Sequence, residues 1–280
     1  VATADPPRQP VLDLDEILGK FPALRLFRGL IARLAGRALM LDRFSEDIAD
    51  WAADEGFSAT LDGLLQLHGV SVHVVHGDPA HLKRPGPLIV VSNHPLGVLD
   101  AMVITALGER QGRPPRILAS DFLARIAPVR KHLIAVDNFS TSKSLAANAL
   151  PLRAAAKHLG EGGSMVTFPS NRVSHFRFTS MKVEDSPWHD HVVRLARLTG
   201  AAVLPVRVLT ANGALYHALG LPHAGLRTMM LLRQLYRIVD GAGRVDISIG
   251  EPLPPEAFSG ERPQVARAEQ LRAMVYALPG

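Results

Sequence analysis

The chain has 280 residues, 47% of them hydrophobic, enough to bury a full core in one large domain or in a domain with a small appendage. It contains no cysteine, which excludes disulfides, thiolate metal ligands and a cysteine nucleophile, and accords with a reducing compartment. A count of 31 Lys and Arg against 26 Asp and Glu leaves a formal charge of +5, an attraction for anionic lipid, nucleic acid or phosphate-bearing ligands that does not choose among them.

The first ten residues, Val1 to Pro10, have no basic region followed by an apolar one, so no signal peptide is expected there. Leu14 to Phe44 is rich in Leu, Ala and Arg at helical spacing. Arg25, Arg28, Arg33 and Arg37 share one half of the wheel, while Leu24, Phe27, Leu30, Ile31, Leu34 and Ala38 share the other. The stretch from Phe27 to Ala38 fits either a helix lying in a bilayer interface or a core-packing helix with a solvated basic face. Residues 1–69 are read as a leader and helical segment, and 70–280 as an α/β domain.

From Val70 the pattern changes to short β-branched runs separated by Gly and Pro. Strands are predicted at Val70–Val75, Leu88–Ser92, Arg116–Ala119, Leu133–Val136, Ser164–Phe168, Val203–Val208 and Val245–Ile249. Helices are predicted over Ala101–Gly108, from about Phe122, over Ser142–Leu159, over His191–Leu198 with a stop at Gly200, and over Gly225–Val239. The stretch from Phe168 through Pro187 reads as an irregular loop. This alternation defines an α/β fold, a mostly parallel central sheet of about seven strands flanked by helices, with the working loops at strand ends. The longest apolar stretch, Pro87 to Gly108, is interrupted by Asn93, His94 and Asp100, which argues against a membrane-spanning helix.

Chemistry concentrates at the end of the second strand, in Ser92-Asn93-His94-Pro95-Leu96-Gly97-Val98-Leu99-Asp100. His94 and Asp100 are six positions apart, too far for a pair within one helix. They come within reach if Pro95–Gly97 turns and Asp100 enters the first turn of the next helix. Asp100 then holds the Nδ1 proton and leaves Nε2 free to accept one. The structural alternative is an Asn-His-Pro turn with Asp100 as a helix cap. A second motif, Phe168-Pro169-Ser170-Asn171-Arg172-Val173-Ser174, is another strand end that leads into a loop with a cation, and Arg172 suits a phosphate or carboxylate. In a third, Leu204-Pro205-Val206, the proline removes a ladder donor and predicts a bulge or an edge.

His73, His76, Asp78 and His81 superficially resemble a metal site, but His73 and His76 have opposite parity on a strand, and no metal is assigned. His189-Asp190-His191 reads as a cap region. The chain has no Gly-x-Ser-x-Gly elbow, no P-loop and no Gly-x-Gly-x-x-Gly, so serine-hydrolase, nucleotide-hydrolase and dinucleotide functions lack their signatures.

In order and spacing, the three motifs resemble the glycerolipid and lysophospholipid acyltransferase superfamily (1-acyl-glycerol-3-phosphate acyltransferase-like). Its members carry an Asn-His-x-x-x-x-Asp block, a Phe-Pro-Glu-Gly-Thr block and a late Val-x-Pro block. The resemblance runs from about Val70 to Pro254 and includes Trp188, the approach Leu195–Gly200 and Ile249-Gly250-Glu251-Pro252. Two departures stand out. His94 and Asp100 are separated by five residues, a His-Pro-x-Gly-x-x-Asp form similar to the bacterial branch once labelled hemolysin-like, which includes ornithine-lipid acyltransferases. Ser170 and Asn171 replace the glutamate and glycine of the phosphatidic-acid-forming enzymes.

The resemblance implies transfer of a fatty acyl chain from a thioester of acyl carrier protein or coenzyme A to a hydroxyl of a lyso-lipid, a lyso-aminolipid such as lyso-ornithine lipid or a lysophospholipid, with the two departures moving the expectation away from phosphatidic-acid formation. His94 acts as base and Asp100 orients it. Asn93, Gly97, Ser170, Asn171, Arg172 and Arg227 are the substrate-binding residues, with oxyanion donors near Gly97 or the Ser170–Asn171 loop. Leu96, Val98, Leu99 and Met102 are expected to line an acyl channel. No cofactor, metal or nucleic acid is called for. The expected location is the cytoplasm, peripheral on the inner face of the cell membrane. A thioesterase or lipid hydrolase using the same pair, and a non-catalytic lipid-binding protein of the same fold, are the alternatives.

Overall fold

A computed structural model describes residues 40, 43, 46, 47, 50, 60–120, 123–124, 127–136, 149–219, 230–241, 243–258 and 263–280. The amphipathic stretch Phe27–Ala38, Arg227 and the start of the helix predicted from Ser142 lie outside these residues. Helix α1 (Leu61–Leu67) is followed by strands β1 (Ser71–His76) and β2 (Leu88–Ser92), helix α2 (Val98–Arg110), β3 (Arg116–Ser120), a single turn α3 (Ala127–Arg130) and β4 (Leu133–Val136). Then come α4 (Ala149–Gly160), β5 (Ser164–Thr167), a hairpin of β6 (His175–Arg177) and β7 (Lys182–Glu184), α5 (His191–Thr199) and β8 (Ala202–Val208). The chain closes with α6 (Ala214–Leu219), α7 (Leu231–Asp240), β9 (Arg244–Ile249) and α8 (Gln264–Ala277).

Seven strands form one sheet in the order β1-β9-β8-β2-β5-β3-β4, parallel at every pairing except β8 with β9. These are the seven strands predicted from the sequence. The hairpin β6–β7 is a separate antiparallel pair within the stretch read as irregular loop. Central β2 is buried along its whole length, as a parallel strand covered on both faces must be. Successive side chains alternate between two cores. Leu88 and Val90 join one with α1 and α2, while Ile89 and Val91 join the other with α4, α5 and α8. Helix α2 is buried from Leu99 through Gly108, because the sheet lies on one side of it and Leu61, Leu64 and Leu65 of α1 on the other. That explains why its sequence is apolar almost all round.

The proline in β8 sits at a bulge, as predicted. Val206 pairs with Ile249 and Val203 with Leu253, so the partner strand carries one extra residue opposite Pro205, where the ladder donor is missing. Gly250 donates its N–H to the Pro205 carbonyl at 2.8 Å, and a Cβ there would lie 2.8 Å from the proline ring. Because β5, β2 and β8 are adjacent and parallel, their carboxyl ends open on the same edge of the sheet, where α/β folds build their sites. Among the described residues no helix is long and apolar enough to cross a membrane.

Candidate active site

Beyond Ser92 the chain leaves the sheet through Asn93, whose side chain continues the ladder in place of backbone. Its Nδ2 donates to the Val208 carbonyl at 2.8 Å and its Oδ1 accepts from the Val208 N–H at 2.7 Å. The amide is committed to the neighbouring strand, so Asn93 fixes where His94 leaves the sheet.

The turn that follows is held at each step. The His94 carbonyl accepts from the Ser174 N–H at 2.8 Å, and the Pro95 carbonyl accepts from Asn212 Nδ2 at 2.7 Å. Gly97 is the N-cap of α2 with φ 76° and ψ −132°, a backbone state that glycine alone adopts readily. A Cβ at Gly97 would also lie 3.3 Å from Leu231 and 3.6 Å from Val173.

Asp100, three residues past that cap, is completely buried. Its Oδ2 accepts from His94 Nδ1 at 2.9 Å and from the Leu96 N–H at 2.9 Å. One carboxylate therefore orients the imidazole and ties down the turn ahead of α2; the N-cap is Gly97 and has no side-chain cap hydrogen bond, so Asp100 is not the helix cap that the structural alternative expected. Burial pushes the Asp100 carboxyl above its ordinary range, with a smaller push from Asp185, while the bonds from His94 and Leu96 act against that rise. Asp100 Oδ1 is buried without a hydrogen-bond partner.

The His94 side chain is 18% exposed and stacks on Phe168, with ring centroids 4.3 Å apart and planes at 25°. Among the described residues its Nε2 has no hydrogen-bond partner. Two contacts thus fix the ring, a carboxylate in its plane and an aromatic face over it. With Nδ1–H donated to Asp100, the neutral imidazole has its lone pair on Nε2, the state of a general base.

Phe168 opens the second motif. Ser170 is buried, and its Oγ donates to the Arg172 carbonyl at 2.7 Å, so it braces the turn from within. Asn171 takes a left-handed φ of 53°, and both it and Arg172 are exposed, where they can meet a ligand. The bend lies beside His94 because Ser174, at its end, bonds the His94 carbonyl.

Asp185 was not legible as a site residue. It is fully buried, and its Oδ1 accepts from the His94 N–H at 3.2 Å and from Ser174 Oγ at 2.5 Å. Its Oδ2 accepts from Trp188 Nε1 at 2.9 Å, and its own N–H donates to Tyr276 of α8 at 2.8 Å. This single carboxylate joins the His94 loop, the second motif and the C-terminal helix. A sequence signal exists only locally, in an acid three residues before a tryptophan; the link to His94 spans 91 positions.

The predicted acyl channel is not what the structure shows. Leu96, Leu99 and Met102 are buried in the core formed with α1 and the sheet, and Val98 packs against it. A helix covered on both sides has no face left to line a channel. Among the described residues no group of three or more His, Cys, Asp or Glu is placed to hold a metal ion.

Residues 73–209, just under half of the chain, match the family model described as Acyltransferase, a stretch that contains His94, Asp100, Arg172 and Asp185. That stretch is similar to an acyltransferase domain, which supports an enzyme of the acyl-transferring kind. The crystal structure of the 1-acyl-sn-glycerophosphate (LPA) acyltransferase PlsC from Thermotoga maritima is similar over 91% of this chain and 99% of that one, with 18% identity and a TM-score of 0.45. No curated protein matches the chain.

Proposed function

We propose that the protein transfers a fatty acyl chain from a thioester, carried by acyl carrier protein or coenzyme A, to a hydroxyl of a lyso-lipid of the glycerolipid or aminolipid type, without a cofactor. The observation that carries this reading is the 2.9 Å contact between Nδ1 of the partly exposed His94 and the fully buried Asp100, inside the stretch that matches the acyltransferase family.

In the proposed reaction His94 Nε2 takes the proton of the acceptor hydroxyl as its oxygen attacks the thioester carbonyl. Asp100 stabilises the imidazolium that forms. Collapse of the tetrahedral intermediate breaks the carbon–sulfur bond, and His94 returns the proton to the departing thiolate, leaving an ester and a free thiol. The oxyanion is met by backbone N–H groups around Gly97 or the Ser170–Asn171 bend. Leu96 N–H is excluded from that role because Asp100 already accepts it.

Arg172 is the residue we assign to the acceptor headgroup, since an exposed guanidinium beside the second motif can grip a carboxylate or phosphate in two-pronged fashion. Asn171 and Gly97 are proposed as further substrate contacts, and Arg227 as a further headgroup contact. Asn93 and Ser170 support these residues from behind. Ser170 and Asn171 in place of glutamate and glycine, with the five-residue His94–Asp100 spacing, favour a lyso-aminolipid acceptor over lysophosphatidate. The reading places the enzyme at the inner face of a bacterial cytoplasmic membrane, where such acceptors reside.

The discriminating experiment offers purified protein acyl carrier protein and coenzyme A thioesters against lysophosphatidate, lyso-ornithine lipid and other lyso-aminolipids. Thioester loss and acyl-lipid gain are followed separately. Matched loss and gain on a lyso-aminolipid support the reading. Loss with only free fatty acid formed identifies a thioesterase, and transfer to lysophosphatidate alone overturns the acceptor assignment.

A further inference from the structure

The hairpin β6–β7 concentrates exposed apolar side chains near the candidate site. Phe178 and Met181, at its turn, are each 69% exposed, and Val183 is 39% exposed. Elsewhere the large exposed hydrophobic residues are scattered, such as Leu67, Leu198 and Val265 on three different helices, and single residues of that kind are ordinary. In the hairpin they share a face. Phe176 pairs with Val183 across the two strands, and the Phe176 ring meets that of Phe178 edge to face at 5.3 Å.

The opposite face is charged. Glu184 is engaged by Arg272 of α8 at 2.8 Å, by Arg177 at 3.8 Å and by Ser180 Oγ at 2.7 Å. The hairpin's own acid is therefore neutralised by cations of the fold, whereas Lys182 and Arg172 are exposed and make no ion pair among the described residues. An aromatic and a thioether at the tip, with exposed Lys182 next to them and exposed Arg172 ahead of the hairpin's base, suit the interface of an anionic bilayer, where apolar groups enter the acyl boundary and cations meet phosphates.

The hairpin is also joined at both ends to one residue. Ser174, just before β6, donates its N–H to the His94 carbonyl, and Asp185, just after β7, accepts from the His94 N–H. Whatever the tip touches is held at a fixed offset from the imidazole.

We infer that the β6–β7 hairpin is a membrane-docking element, which inserts Phe178 and Met181 into the interface of an anionic bilayer and thereby sets His94 at the level of the lipid headgroups. This inference rests on the proposed lyso-lipid acceptor for its purpose, though not for its test. An acidic carrier protein satisfies the cations but leaves the exposed Phe178 and Met181 unexplained, so the bilayer is favoured.

The test uses vesicles of phosphatidylcholine mixed with phosphatidylglycerol. In Phe178→Trp, the added tryptophan emission is expected to shift to the blue on the vesicles and to be quenched by brominated acyl chains. The double variant Phe178→Ser, Met181→Ser should co-sediment with the vesicles at least about tenfold more weakly than the unaltered protein. Its circular dichroism, and its kcat/KM on a short-chain lyso-lipid kept monomeric, should be unchanged. Unaltered sedimentation of the double variant, or Phe178→Trp emission that vesicles leave unmoved, overturns the inference. Emission that responds to acyl carrier protein and not to vesicles overturns it too and marks a protein-docking surface. Failure of the acyl-transfer reading shows separately, as absence of product from the monomeric acceptor.

Discussion

One oxygen of Asp100, Oδ2, receives both the imidazole Nδ1 of His94 and the N–H of Leu96, at 2.9 Å each. The carboxylate that holds the turn ahead of α2 is therefore the carboxylate that aims the ring, and neither function can be altered without touching the other. The five residues between the pair are the turn that makes this double use possible.

Asp100→Asn keeps the shape and removes the charge. An amide whose oxygen takes the Oδ2 position still accepts from His94 and Leu96, but no longer stabilises the imidazolium. Acyl transfer should fall by about a hundredfold or more, the usual size of a general-base contribution. Stability should move the other way with pH. The fold raises the Asp100 pKa, so the folded state holds that proton more tightly than the unfolded chain. Its contribution is largest at low pH and declines as pH rises above the ordinary carboxylate range. Denaturant midpoints measured across that range should show a shallower decline in the Asn variant.

Asp185→Asn tests the hub from the other side. With its oxygen kept toward His94 and Ser174, the amide nitrogen faces the indole N–H of Trp188, donor against donor. Leaving a buried donor without an acceptor costs about 1–3 kcal/mol. Chemical denaturation should show that loss, and transfer rates should drop as well, because the His94 backbone loses a firm anchor.

At Gly97, alanine combines a disfavoured φ of 76° with a Cβ placed 3.3 Å from Leu231 of α7. Backbone strain of this kind costs roughly 1–3 kcal/mol. Gly97→Ala should lower the thermal midpoint and reduce kcat, since the strain is relieved only by shifting the turn that separates His94 from Asp100.

His191 provides a pH dependence away from the reacting groups. It begins α5, is hydrogen-bonded to Thr167 Oγ1 at 3.2 Å, and is held down to a pKa of about 4 by burial first and by the nearby His189 and Arg194 charges. An unfolded chain binds this proton near 6.5, so the neutral ring favours the fold fully above that value. The stability is lost as pH falls from 6.5 toward 4, by on the order of 3 kcal/mol in all. Urea midpoints through this window should fall steeply in the unaltered protein and much less in His191→Gln, which retains a hydrogen-bonding group.

The sheet was legible because its seven strands are short apolar or β-branched runs, β1 and β9 stopped at once by Gly77 and Gly250, and central β2 is apolar from Leu88 to Val91. The hairpin was not, because its strands are three residues long and its turn, Phe178-Thr179-Ser180-Met181, carries neither Gly nor Pro. Within the site, the sequence exposed what is local. His94, Asp100 and the Pro95–Gly97 turn lie within seven consecutive residues, and strand-to-helix logic brings them together. Contacts made across the fold left no such trace. Phe168 over the His94 ring and Asp185 against its backbone depend on how β5 and the hairpin come to lie beside β2. The acyl-channel assignment failed for a related reason. An apolar helix reads the same whether its second side meets substrate or meets α1.

The most direct test follows product and thioester together for the unaltered protein and for His94→Ala, with an acyl carrier protein thioester and a lyso-aminolipid acceptor. The account predicts one acyl-lipid formed per thioester consumed, and a loss of at least about a hundredfold in kcat/KM on removing the imidazole, with the fold intact by circular dichroism. Transfer that proceeds undiminished in His94→Ala would contradict it.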